Sequence, residues 1–134
     1  MDLTVITLLP VLFSGVISGM ILFHAGIIAP TLFKTVSSKE AGPFLRLVFP
    51  KLFLFVLILG VFSLLVLFFG NGAGVAKISS TITVVSMIVC YSIIPATNSA
   101  RDLGEENTFK RLHRLSVVLT MVVLLANLIW MFLL

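Results

Sequence analysis

The sequence predicts an all-α integral membrane protein, an antiparallel four-helix bundle built as two hairpins. Three observations carry that expectation. Of 134 residues, 60% are hydrophobic and 10% charged, with a mean hydropathy of +1.25; soluble chains carry about 25% charged and roughly 45–50% apolar residues. Four apolar stretches each approach or exceed the roughly 20 residues a helix needs to cross a hydrocarbon core about 30 Å thick. The Lys and Arg residues gather at alternate connections between those stretches. Residues 1–134 read as a single transmembrane domain, with spans at about 3–29, 44–69, 75–96 and 109–134. A disordered chain and a disulfide-rich scaffold fall to the same arithmetic, since there is one Cys and no polar tract.

The first span, Leu3–Ala29, contains no Asp, Glu or Arg. It is long for a bilayer, so tilt is expected, with Pro10 and Pro30 marking bends or ends. It follows Met1-Asp2 rather than a basic segment, which does not fit a cleavable signal peptide. Ser14-Gly15 and Ser18-Gly19 form a small-xxx-small ridge where another backbone can approach, and are the candidate helix-packing residues. His24 precedes Lys34 by ten residues, which places it about 15 Å below the interface. An ionisable side chain at that depth is a functional-site expectation.

The second span is nearly pure Leu, Phe, Val and Ile from Leu52 to Phe69, with Ser63 the lone hydroxyl, and reads as lipid-facing. Its start extends back to Phe44. Ahead of it, Ser37-Ser38-Lys39-Glu40 has capping-box spacing, and Pro43 suits a first helical turn. After the turn Gly70-Asn71-Gly72-Ala73-Gly74 comes the third span, Val75–Ala96, on which Ser79, Thr83, Ser86 and Cys90 share one face. The fourth, Leu115–Leu134, is led in by Phe109, with Asn107 or Thr108 as its cap. His113, Ser116, Thr120 and Asn127 share one of its faces. In lipid these polar groups need internal partners, so both faces should point into the bundle. Ser86, Thr120 and Asn127 are the candidate polar interior; with Cys90 they are the residues a solute path would use.

Lys34, Lys39, Arg46 and Lys51 surround the first connection, and Arg101, Lys110, Arg111 and Arg114 the third, leaving only Lys77 near the glycine turn. By the positive-inside rule both long basic connections are cytoplasmic and both termini outside, in an inner (cell) membrane. The net charge of +4 suits contact with anionic lipid headgroups, and no nucleic-acid signature is present.

Two passages repeat. Ile27-Ile28-Ala29-Pro30-Thr31 returns as Ile93-Ile94-Pro95-Ala96-Thr97, and Phe44-Leu45-Arg46-Leu47 as Phe109-Lys110-Arg111-Leu112, at offsets of 66 and 65. Each half is then one hairpin, and the halves are related by an axis along the membrane normal. Under that repeat Cys90 is the counterpart of His24, and the two suit a soft or borderline metal. His24 with His113 as axial ligands of a haem is the rival use of the same histidine. No carboxylate lies in a span, which argues against an ion-coupled transporter. No catalytic constellation is legible, so no catalytic residue is assigned and an enzyme is not expected.

Ala29-Pro30-Thr31-Leu32-Phe33-Lys34, Ala41-Gly42-Pro43-Phe44 and Phe49-Pro50-Lys51, followed by Phe109-Lys110-Arg111-Leu112-His113-Arg114-Leu115-Ser116, resemble the small bacterial membrane proteins related to transmembrane protein 205. The resemblance spans essentially the whole chain. It implies a four-helix membrane domain of undefined biochemical role and marks Pro30, Phe33, Phe49, Pro50, Leu112, His113 and Ser116 as positions to test. His24 departs from that pattern. The architecture is more remotely similar to haem-associated four-helix families such as the HemJ-type protoporphyrinogen oxidases. The reading that follows is a helix-packing module in a homo-oligomer or larger membrane complex, with lipids and membrane proteins as partners. Its alternatives are a carrier or permeation path for a small solute or metal, and a haem- or metal-binding bundle.

Overall fold

The computed structural model describes residues 3–133, so the expected end of the fourth span at Leu134 lies outside the described residues. Six α-helical segments and one π-helical segment make four transmembrane rods, and no strand is present among the described residues. The first rod is α1 (Leu3–Phe23), the π segment His24–Ile28 and α2 (Ala29–Thr35); the second is α3 (Ser38–Phe69). The third is α4 (Gly74–Ser92) with α5 (Ile94–Asp102), and the fourth is α6 (Glu106–Met131). All four rods are long and apolar enough to cross a membrane, and short turns make them run alternately up and down.

The rods overrun the expected spans at the basic end. At 32 residues, α3 is about 48 Å long, well beyond a hydrocarbon core of roughly 30 Å. The polar connections expected there are therefore mostly helix, since Lys, Glu, Arg and Leu are good helix formers whatever their polarity. The capping box forms as its spacing predicts. Ser37 Oγ accepts from the Glu40 N–H, and Glu40 Oε2 accepts from the Ser37 N–H at 3.0 Å. Pro43 stands inside α3 rather than in its first turn, and α6 starts at Glu106 without a side-chain cap from Asn107 or Thr108.

Pro10 is carried within α1 without a break. Pro30 does break the ladder. It offers no N–H, and its ring presses on the preceding turn, so the helix widens ahead of it, with the Ala29 N–H bonding to the His24 carbonyl five residues back. The third rod breaks at Ile93, two residues before Pro95. Both irregularities fall at the repeated passages. The first and third rods each pack on the second and fourth and stand diagonally opposite one another.

The core along the axis is Ile17, Ile21, Val56, Met87, Cys90 and Val123, all closed to solvent. Leu67, Ala76 and Trp130 form a second cluster at the glycine-turn end. A belt of large apolar side chains, among them Leu12, Leu22, Phe62, Ile78 and Leu125, faces outward toward where lipid would lie.

The second span does turn a lipid-side face outward, through Leu54, Phe55, Ile58, Phe62 and Leu65, and its other face is packed. α3 makes the most extensive helix contact in the bundle, against α4. Ser63 is buried there, its Oγ 2.8 Å from that of Ser80. Gly60 makes the approach possible, since a Cβ on it would stand 2.9 Å from Thr83 Cγ2.

Candidate functional site

Two polar features occupy the interior, and they differ in kind. The first is a closed hydrogen-bond network toward the glycine-turn half. Trp130 Nε1–H donates to Ser14 Oγ, Ser14 donates to Asn127 Oδ1, and Asn127 Nδ2 donates to Thr83 Oγ1 and to the Val123 carbonyl, each at 2.8 Å. Thr83 passes its own proton to the Ser79 carbonyl at 3.0 Å. Asn127 is 2% exposed; its amide is engaged on both sides and has no free group to offer a passing solute. The network ties α1, α4 and α6 into one unit.

The second feature is a cavity of about 510 Å³ at the basic end. Residues of both irregular turns line it, His24 and Ala25 from the first rod and Ile94 from the third. Its apolar depth is made by Ile21, Leu52, Phe53, Val117 and Met121. Its upper wall carries His24, Arg46, Asn98, Arg101, His113 and Ser116. Aromatic rings line the sides. His24 meets Phe49 edge-on at 5.0 Å between centroids, and Phe49 in turn packs on Phe53 at 5.6 Å. His113 stacks on Phe109 at 5.7 Å. His24 Nε2 is shut off from solvent with no hydrogen-bond partner among the described residues.

Charge is set by two arginines. Arg46 of α3 forks onto both oxygens of Asp102 at the end of α5. That pair brings the two basic corners together at one end of the molecule. Arg101 forms no ion pair among the described residues; its guanidinium lies over the Phe109 ring at 5.2 Å and passes beside Gly42.

The sequence-predicted residues divide sharply between these surroundings. Phe33, Phe49, Pro50, His113 and Ser116 line the cavity, while Pro30 and Leu112 do not. Pro30 shapes the cavity through the π segment, and the Leu112 carbonyl accepts from Ser116 Oγ at 3.3 Å. Of the candidate polar interior, Thr120 lines the cavity, with its hydroxyl donating to the Ser116 carbonyl at 2.7 Å. Ser86 and Asn127 are buried elsewhere. His24 and His113 line one cavity, whereas Cys90 sits in the core off it, its Sγ 3.9 Å from the Ser116 carbonyl. No group of three or more His, Cys, Asp or Glu able to hold a metal gathers among the described residues.

The small-xxx-small ridge splits as well. Ser14 and Ser18 turn inward and are buried, while Gly15 and Gly19 face out, where an added Cβ would meet nothing within 4 Å. Neighbouring helical positions are about 100° apart, so one ridge cannot serve both sides. Arg101 and Asn98 are site residues with no role in the sequence reading beyond Arg101 as a marker of topology; Arg46 and Gly42 figure there in the repeat and in the family-like motif, without a place in a site.

No curated protein and no solved structure matches the chain. A family model described as a domain of unknown function, DUF4149, matches residues 12–94, from within α1 to the start of α5. The match covers the cavity walls from α1 through α3 and stops short of α6, which supplies His113, Ser116 and Thr120. With more than half of its length matched by that model, the chain belongs to the DUF4149 family.

Proposed function

We propose that this chain is a non-enzymatic inner-membrane protein that holds a small amphiphilic molecule in the cavity at its basic end. One observation carries the reading. Five of the seven motif positions marked by the likeness to transmembrane protein 205-related proteins, far apart in sequence, line the same cavity. At about 510 Å³ it falls in the range of ordinary ligand pockets, and an apolar body with a few convergent polar groups is their usual lining. The basic end faces the cytoplasm and both termini face outward, because eight of the nine Lys and Arg residues flank that end. That likeness also supports placing the chain near those proteins within its family.

The test is native mass spectrometry of the full chain extracted in mild detergent. The expected result is one retained non-protein mass per chain that survives detergent exchange, lost in Ala25→Trp, which fills the cavity from the first rod. A chain that carries nothing before and after the substitution would falsify the reading.

A second reading is favoured by the two histidines on one cavity. His24 and His113 offer axial ligands to a haem, and the partnerless Nε2 of His24 suits that use. It predicts a haem mass in the same spectrum and a Soret band, both lost in His24→Ala.

Assembly with copies of itself rests on the outward Gly15 and Gly19, whose lack of side chains lets a second helix approach. Gly19→Leu is expected to leave the bundle folded and to reduce crosslinked oligomer. An unchanged oligomer ladder would remove that surface from consideration.

A further inference from the structure

Resting on the cavity reading above, we propose that the occupant is an anionic phospholipid of the leaflet at the basic end, its phosphate held by Arg101 and its acyl chain lying in the apolar depth. Arg101 is the group that singles out an anion. It forms no ion pair and donates no hydrogen bond among the described residues; its guanidinium carbon stands 5.2 Å from the centre of the Phe109 ring. With no acceptor engaged, its N–H groups are available for a bidentate contact of the kind arginine makes with phosphate. Arg46 adds a second positive charge on the same wall, although Asp102 already engages it. Two arginines against one carboxylate leave the cavity wall net positive, and Lys34, Lys51, Arg111 and Arg114 belong to the same basic end in the sequence.

The depth decides between a lipid and a free anion. Along α6 the lining runs from Phe109 to Met121, about 18 Å at 1.5 Å per residue. Its lower part is Ile21, Leu52, Phe53, Val117 and Met121, with no charged group. A small soluble anion bound at Arg101 would leave that length empty or wet, whereas an acyl chain fills it and gains from burial. Ala25 and Phe33 of the first rod are exposed and also line the cavity, which puts its edge at the outer, apolar surface of the bundle.

The experiment is a titration of the full chain in detergent with short-chain phosphatidylglycerol, matched phosphatidylcholine, and inorganic phosphate alone. The native chain should bind phosphatidylglycerol about tenfold more tightly than phosphatidylcholine, the scale of one charge-assisted hydrogen-bonded contact. Arg101→Gln should abolish that preference, weakening phosphatidylglycerol strongly and phosphatidylcholine, whose phosphate charge is offset by its choline, by less, and Arg101→Lys should recover part of it. Arg114→Gln removes the same charge at the same end but off the cavity, and should change little. Equal losses in Arg101→Gln and Arg114→Gln would reduce the effect to surface charge and overturn the proposal. Phosphate alone binding as tightly as the lipid would overturn the role of the chain. If both lipids bind alike, and Ala25→Trp abolishes both, the anionic head falls while the cavity reading stands.

Discussion

Gly60→Leu is expected to cost the bundle about 3 kcal/mol or more, read as a large drop in thermal unfolding temperature in detergent. The effect is steric. Already the first added carbon would stand 2.9 Å from Thr83 Cγ2 and 3.3 Å from Val84 Cγ2, both on β-branched side chains whose χ1 is stiff. Overpacking a core typically costs about 1–3 kcal/mol, and leucine adds three carbons beyond that first one. Alanine is the informative control, because Gly→Ala in a helix interior returns roughly 1 kcal/mol through backbone entropy. Gly60→Ala should therefore lie near neutral, and the steep step should come between alanine and leucine. A leucine variant that unfolds at the native temperature would show that α3 and α4 do not approach as described.

The second large effect is expected of Asn127→Ala. Asn127 takes part in three hydrogen bonds, from Ser14 and to Thr83 and the Val123 carbonyl. Inside membrane bundles such bonds average about 0.6 kcal/mol each, with maxima near 1.7. Their sum with the void left behind is about 2–3 kcal/mol. Ser14→Ala alone should cost less, and the double variant should cost less than the two added together, because the two side chains share one bond. Full additivity, or no loss in Asn127→Ala, would contradict the network. Gly60→Leu and Asn127→Ala should also be coupled, since Thr83 faces both.

Four helices were legible because hydropathy and charge placement report directly on what a bilayer tolerates. The helix ends were not, because hydropathy falls off at Lys39 and Arg46 while the helix continues through them. The packed face of the second helix is not legible for a related reason. Between helices in lipid, apolarity does not drive association, so a near-continuous Leu/Phe/Val run says nothing about which face packs. Gly60 was the available signal, a single small residue amid large ones. The ridge at Ser14-Gly15 and Ser18-Gly19 was visible as composition, but only the helix's rotation divides it into a buried serine pair and an outward glycine pair. The motif residues Phe33, Phe49, Pro50, His113 and Ser116 could be marked in the sequence, yet their meeting in one cavity depends on how the rods pack. Arg101 escaped notice because a Lys/Arg cluster beside a span already has a sufficient explanation in topology.

The hydrogen bonds joining Ser14 to Asn127 and Trp130 close over 113 and 116 residues of chain, nearly its full length. A ribosome delivering this protein therefore inserts α1 long before α6 exists, and Ser14 must wait in the membrane without its native partners. Thr83 can donate to the Ser79 carbonyl of its own helix meanwhile and gains only its contact from Asn127 at the end. The last helix thus acts as a keystone: Ser14 reaches the partners it holds in the finished bundle only when α6 is in place, and truncation within the final two turns of α6 would remove both of them.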